Sequence, residues 1–323
     1  MNLQNIIDPV PAEAIMDELT REKFFRKTNN GGNEIYILSA HDSPNIMREI
    51  GRLREISFRD SGGGTGLDCD IDDFDTRDEN YFLQLIVWNP VDRAIVGGYR
   101  FLLCDKLPLD ANGQVDTPTS ELFLYSERFV KEYLPYTLEL GRSFVQPAYQ
   151  PTKSLSKGLY SLDNLWDGLG SLVDIYPQAK YYFGKVTMYP QLERSARDMI
   201  LFFMQKHFPD KEQLVKPKPE LNLPILTDQS QLEAIFTADN YRDDYKSLVR
   251  QVRERGAAVP PLVNAYMNLS PTLRSFGTAL NPGFGKVEET GILVTIRDMF
   301  VEKVQRHLVY DKNEIPSHLI QIK

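Results

Sequence analysis

The chain has little of what metal or disulfide chemistry requires. Of its 323 residues two are cysteine, Cys69 and Cys104, and four are histidine. Two cysteines cannot build a multi-bridge scaffold, and no C-x-x-C pair exists to hold zinc. His41, His207, His307 and His318 are scattered, with neither an H-E-x-x-H helix nor a His-x4-Asp pair among them. Basic charge is also short: 37 Lys and Arg face 45 Asp and Glu, a net charge of -8 that argues against nucleic-acid binding. The longest apolar runs, 85–88 and 200–204, fall far below the roughly 20 residues needed to cross a bilayer. The first residues lack a basic start and an apolar core, so no secretory leader is read there and the cytoplasm is expected.

What is present is globular: 42% hydrophobic and 25% charged residues, in a chain long enough for one large domain or two ordinary ones. Residues 13–26 place Ile15, Met16, Leu19 and Phe24 at helical spacing, and the Asn/Gly cluster 29–33 ends that helix. A strand over 34–38 follows. Ser43 as cap and Pro44 in the first turn then open a helix through Ile46, Ile50, Leu53 and Ile56. The glycine- and acid-rich stretch 61–79 reads as a loop. Strands 81–88 and 94–104, joined by Asn89-Pro90-Val91-Asp92-Arg93, predict an antiparallel hairpin. Next come a helix over 121–133, a strand over 137–145, a helix over 155–176, a strand over 181–188 and a helix over 191–207. The proline- and lysine-rich segment 211–224 predicts a linker. Beyond it, helices are expected at 229–236, 241–255 and 261–269, and a strand at 291–296. Hairpin strands among helices make a mixed α/β layout, not the βαβα alternation of a doubly wound sheet.

Several motifs tempt and fail. Asp68, Asp70, Asp72 and Glu79 match the acid spacing of a calcium loop, but Asp73 stands where the sharp turn needs glycine. The glycine run 62–66 is not followed by Lys-Ser/Thr, so it is no phosphate loop. Gly141-Arg142-Ser143 starts like a nucleophile elbow without its closing glycine.

Four charged clusters on apolar elements remain. They are Arg52 to Arg59 at a helix end, Asp70-Ile71-Asp72-Asp73-Phe74-Asp75, Gly97-Gly98-Tyr99-Arg100 on a strand, and Leu138-Glu139-Leu140-Gly141-Arg142-Ser143 on another. Strand alternation puts Glu139 and Gly141 on one face, with Leu138, Leu140, Arg142 and Phe144 on the other. Ionised groups in a buried sheet need partners. A structural ion network and a functional site both fit these residues.

The series Arg54/Phe58, Asp72/Asp75, Arg100 and Glu139/Arg142 resembles the acyl-homoserine-lactone synthases. It resembles still more the related GNAT-superfamily N-acyltransferases, often labelled hemolysin-like, that make ornithine lipids and glycine lipids. Gly-Thr-Gly at 64–66 and Glu-Leu-Gly-Arg-Ser at 139–143 belong to the same likeness, which spans about 34–207 and weakens through 260–308. It implies a GNAT-like, mostly antiparallel central sheet flanked by helices, in a single domain with a core at 34–208 and a C-terminal α+β extension at 225–323. After Val145 the chain lacks the glycine pair whose amides hold the coenzyme A pyrophosphate in most GNAT enzymes. An acyl-carrier-protein thioester is therefore the expected donor ahead of acyl-CoA, with no permanently bound cofactor and no metal.

The implied reaction moves a long-chain, optionally 3-hydroxylated acyl group to the α-amine of an amino acid, glycine ahead of ornithine, in lipid biosynthesis. Glu139 is the candidate base, because a partly buried carboxylate can be tuned toward neutrality. Backbone N–H groups near Arg142 would stabilise the oxyanion, and Tyr189 would protonate the leaving thiolate. Arg54 or Arg100 would fork onto the acceptor carboxylate, with Phe58, Asp72, Asp75 and Ser143 around it. Asp72 or Asp75 would hold an ornithine ammonium, or would pair with arginines if the acceptor is glycine. Phe144, Val145, Lys153 and Lys157 would meet the donor, and Trp166, Leu169, Leu172, Phe202 and Phe203 would line an acyl slot. An acidic carrier protein needs a local basic face, for which Lys206, Lys211, Lys216 and Lys218 also qualify. Peripheral contact with the inner face of the membrane fits a lipid product. A lactone-signal synthase and a non-catalytic carrier- or lipid-binding module are the competing readings.

Overall fold

The computed structural model describes residues 3–151, 153 and 158–310. In chain order these form α1 (Ala12–Glu18), β1 (Phe24–Lys27), β2 (Glu34–Leu38), α2 (Pro44–Asp60), α3 (Asp73–Thr76), β3 (Leu83–Asn89), β4 (Ala94–Leu103), β5 (Phe123–Tyr125) and β6 (Thr137–Val145). There follow α4 (Ser161–Ile175), β7 (Tyr181–Met188), α5 (Arg194–His207), β8 (Val215–Pro217), α6 (Gln229–Ile235), α7 (Tyr241–Glu254), α8 (Pro261–Met267), β9 (Arg274–Asn281), β10 (Val287–Thr295) and α9 (Val301–His307). No helix among the described residues is long and apolar enough to cross a membrane.

The chain forms two compact units. The first comprises the described residues up to Leu107, Pro135–Lys180, and those from Val301 onward; the second comprises Pro108–Leu134 and Tyr181–Phe300. The expected single domain, with a boundary at 211–224, is thus drawn differently: each unit is assembled from separated stretches, and the segment from 225 onward contributes to both.

In the first unit β1, β2, β3, β4 and β6 pair in that order, every neighbour antiparallel. Successive side chains of a strand point to opposite faces, and β3 shows which helix covers which face. Gln84 bonds to Arg54 of α2, while a Cβ on Gly168 of α4 would lie 2.6 Å from Leu85. The helices therefore cover opposite faces of this sheet. By register Arg100 lies beside Gln84 on the α2 face, and Tyr99 beside Leu85 on the α4 face.

In the second unit β7, β10 and β9 form an antiparallel ladder, and β5 pairs with β8. Phe129, Phe183 and Phe276 cluster there, the Phe129–Phe183 and Phe183–Phe276 centroids being 5.0 and 6.0 Å apart. The ladders of both units make a mixed α/β protein with antiparallel strands flanked by helices.

Local expectations fail where pairing overrides propensity. The helix predicted over 13–26 stops at Glu18, because Phe24–Lys27 joins the sheet edge against β2. Ser43 offers no side-chain cap to α2. Glu18 caps it instead, accepting from the N–H groups of Asn45 (3.0 Å) and Ile46 (2.8 Å). The helix predicted over 121–133 splits into β5 and a π turn, Phe129–Tyr133. Its strand partner β8 lies inside the segment read as a linker, and β9 escaped the sequence reading altogether.

One glycine positions the acidic loop. A Cβ on Gly51 of α2 would stand 2.5 Å from the Cys69 sulfur and 2.7 Å from Ile71 Cγ1, and the Gly51 carbonyl accepts from the Asp70 N–H at 3.0 Å. Gly51→Ala should therefore overpack this contact and lower stability by about 1–3 kcal/mol. Urea denaturation measures it, and an unchanged midpoint would mean that the loop approaches α2 less closely.

Candidate active site

The loop after α2 is shaped around a buried carboxylate. Glu55 accepts from the N–H (3.0 Å) and hydroxyl (2.8 Å) of Thr65, the N–H of Gly66 (2.7 Å) and the Arg59 guanidinium (2.7 Å). Gly64, at φ +95° and with its missing Cβ only 3.0 Å from Glu55 Oε1, supplies the backbone that this wrap needs. Gly-Thr-Gly is here a carboxylate cradle within the fold.

Beyond it three arginines and three aspartates interlock on the α2 face. Arg54 donates to Asp75 (2.9 Å), to the Asp70 carbonyl (3.4 Å) and to Gln84 (2.5 Å). Gln84 in turn donates to Asp75 Oδ1 at 2.9 Å. Arg100 donates to Asp72 (2.6 Å), stands 3.2 Å from Asp75, and lies over the Phe82 ring at 5.2 Å. Arg142 meets Asp70 at 2.9 Å and Asp72 at 3.5 Å. Asp75 also accepts the Asp72 N–H (3.3 Å) at the start of α3.

Burial and charge compete at each group. Burial alone would raise Asp75, but Arg54 and Arg100 outweigh it and hold its carboxyl below the usual range. At Asp70 burial prevails over Arg142, Arg54 and Arg100 and pushes the carboxyl up. Burial would lower Arg100, yet Asp75 and Asp72 push it above its ordinary value. Only the outer members reach solvent: the Arg142 and Asp72 side chains are 18% and 30% exposed, whereas Arg54, Asp75 and Arg100 are buried.

Simple alternation does not put Arg142 in this cluster. Gly141 pairs with Arg100 and Phe144 with Gly98, so Arg142 and Ser143 together oppose Tyr99. This is a β-bulge, and Arg142 takes φ +49°, in the left-handed region. The extra residue inverts the parity beyond it. Phe144 joins the face of Glu139 and Gly141, not the opposite one, and the Arg142 guanidinium turns to Asp70. Room for Arg100 comes from Gly141, whose absent Cβ would lie 3.4 Å from Arg100 Nε.

Glu139 is buried opposite Leu102, on the Arg100 face. It adjoins the Cys104 thiol, which burial and then the Glu139 charge push well above the ordinary thiol value. Phe58 is buried on α2, Phe144 is buried, and Ser143 and Val145 are half-buried on β6. Lys153 is exposed, and Lys157 lies outside the described residues. Tyr189 is half-buried after β7, in the second unit. Trp166, Leu169 and Leu172 are core residues of α4, while Phe203 is core in α5, 5.8 Å from Phe236 by ring centroid. Lys206 is committed to the Phe236 and Ala238 carbonyls and to Asp244, so its ammonium is not offered to a partner. Sequence reading missed Gln84, although one amide in the run Leu-Gln-Leu-Ile-Val-Trp was a signal of buried polar pairing.

The comparisons with known proteins point one way. Residues 53–159 match the family model of the acetyltransferase (GNAT) domain. A protein of Phocaeicola vulgatus named glycine N(alpha)-acyltransferase is 54% identical over 306 residues, covering 95% of this chain and 93% of its own. One of the same name from Bacteroides thetaiotaomicron is 52% identical, covering 95% and 90%. Among solved structures, a CoA-dependent acyl-homoserine lactone synthase with SAM and isopentyl-CoA aligns with 49% of this chain and 68% of its own. That alignment has 14% identity and a TM-score of 0.28.

The cluster makes a pH prediction. Because the Asp75 carboxyl is lowered in the fold, its contribution is fully present above the unfolded value of about 3.9 and is lost as pH falls through the lowered one. Asp75→Asn should cost about 3–5 kcal/mol at neutral pH by leaving buried guanidinium charge unmatched. It should also flatten the acid limb of stability against pH. Equal slopes below pH 4 in the two proteins would exclude Asp75 as the source.

Proposed function

The chain belongs to the GNAT-type N-acyltransferases represented by these two bacterial relatives, and from that premise we propose that it acylates the α-amine of glycine with a long-chain acyl group carried as an acyl-carrier-protein thioester. One observation carries the choice of acceptor. Asp70, Asp72 and Asp75 are all matched to Arg142, Arg100 and Arg54, so none of the three is left over for the side-chain ammonium of ornithine. Glycine asks for nothing beyond its carboxylate and its amine. Arg54 and Arg100, buried inside the cluster, serve as its frame; Arg142, which also pairs with Asp70 and Asp72 but stands at the solvent edge, receives the glycine carboxylate.

The loop after β6 supports a carrier-bound donor. The Gln146 N–H donates to the Val96 carbonyl at 3.0 Å, and those of Tyr149, Gln150 and Lys153 donate to carbonyls within the loop at 2.9, 3.1 and 2.9 Å. Among the described residues of this loop, these four amides are used inside the protein, where a pyrophosphate cradle would need them free. A phosphopantetheine thioester makes no such demand.

In the proposed reaction Glu139 removes a proton from the glycine ammonium. The freed lone pair attacks the thioester carbonyl, and a C–N bond forms. The tetrahedral intermediate sheds the second proton of its nitrogen to solvent and collapses with breakage of the C–S bond, and the leaving thiolate takes up a proton from solvent. N-acylglycine and the free carrier thiol leave. Such a product inserts into lipid layers, so membrane association during release belongs to this proposal.

The test is purified protein with palmitoyl-carrier protein and an amino-acid panel, read by mass spectrometry. N-palmitoylglycine should form, with little product from ornithine. An acylated lactone from S-adenosylmethionine, or carrier binding without turnover, would overturn the reading in favour of a signal synthase or a binding module. Glu139→Gln should lower kcat by about 10²–10⁴-fold with unchanged circular dichroism, and near-normal turnover would remove Glu139 from the base role.

A further inference from the structure

In the second unit, α7 carries four cations at positions 242, 246, 250 and 253, in a chain whose net charge is -8. At about 100° per residue, Arg242, Lys246, Arg250 and Arg253 fall within an arc of about 80°. At about 1.5 Å per residue, they run for about 16 Å along the helix. All four are exposed. Lys246 meets Asp243 at 2.8 Å, and among the described residues Arg242, Arg250 and Arg253 make no side-chain hydrogen bond or ion pair. The other acids of the helix are Glu254, which accepts from Gln251 (2.8 Å), and Asp244, buried beneath with Lys206 and His207.

The opposite face of α7, with Leu248 and Val252, is buried within the unit, so packing does not require the stripe. Beside the cations, half-buried Tyr245 and Val249 floor a shallow depression of about 540 Å³. The Tyr245 hydroxyl is tied to Asn264 and its ring stacks on Tyr241 at 5.6 Å. A rigid apolar floor with a basic rim is the composition of a protein docking face. None of the large exposed hydrophobic residues lies on α7, so this face offers nothing to insert into a bilayer.

We propose that the Arg242–Lys246–Arg250–Arg253 stripe is the docking face for an acidic helix of the acyl-carrier protein that delivers the donor thioester. The identity of the partner rests on the carrier-thioester reading above; the argument for the surface is charge complementarity. Local positive charge overcomes the repulsion that two net-acidic proteins otherwise feel, and steers their encounter. It differs from the lysines named from the sequence, of which Lys206 is internally bonded.

The test is the double variant Lys246→Glu/Arg250→Glu, on exposed positions, with its fold checked by thermal melting. Acyl-carrier KM should rise at least about tenfold and the salt dependence of kcat/KM should weaken, while kcat/KM with acyl-CoA at saturating glycine stays the same. Direct binding of the carrier, measured by titration calorimetry, should fall in parallel and covers the case in which acyl-CoA is not used. Unchanged carrier KM and affinity would overturn the docking face while leaving the proposed function intact. Loss of binding to vesicles containing phosphatidylglycerol, with carrier kinetics unchanged, would overturn it in favour of a membrane contact. If the wild-type protein turns over acyl-CoA and neither uses nor binds the carrier, both the donor reading and this partner fall together.

Discussion

Two buried guanidinium groups and a third at the solvent edge, facing three carboxylates, are the constraint on which the rest of the first unit depends. Desolvating one such ion costs several kcal/mol unless partners and hydrogen bonds match it closely. Arg54, Asp75 and Arg100 are all buried, so the sheet, α2 and the acidic loop must meet in one arrangement or leave charge unmatched. Gln84 completes the set by donating to Asp75 and accepting from Arg54. Such a network specifies geometry more than it adds stability. Its value to the proposed chemistry is a frame in which Arg142 and Asp72 are held at the solvent edge.

Two backbone features make the arrangement reachable. The loop lies against α2 where Gly51 has no side chain, which brings Asp70 to the cluster. The bulge in β6 sets two residues against Tyr99 and turns Arg142 to the same side as Arg100. A strand without the bulge would send Arg142 toward α4, among Leu85 and Tyr99, where Asp70 is absent. The strain of a left-handed arginine is thus coupled directly to pairing of its charge.

Much of the fold was legible because its signals are local. The strands Glu34–Leu38, Thr137–Val145 and Tyr181–Met188 match the predicted spans residue for residue, and the hairpin 81–104 follows from a turn between two apolar runs. Phe24–Lys27, Phe123–Tyr125 and Val215–Pro217 were not legible. Each is only three or four residues long; the first is a strand because it folds back on the strand that follows it, and the other two because they pair with each other across a long stretch of sequence. At the site, the charged residues announced themselves by standing in apolar elements, but their pairing did not. Alternation put Arg142 on the wrong face because period-two reading has no means of seeing an inserted residue.

The sequence by itself determined the chemistry available: arginines, aspartates and a glutamate in apolar surroundings, few metal-binding side chains, and a likeness that named acyl transfer. Tertiary structure decided which of those charges are spent on one another and which still face solvent. The reason is physical. Composition and spacing state which ions must be buried, whereas the partner that neutralises each one is a matter of distances between strands, helix and loop that no local pattern encodes.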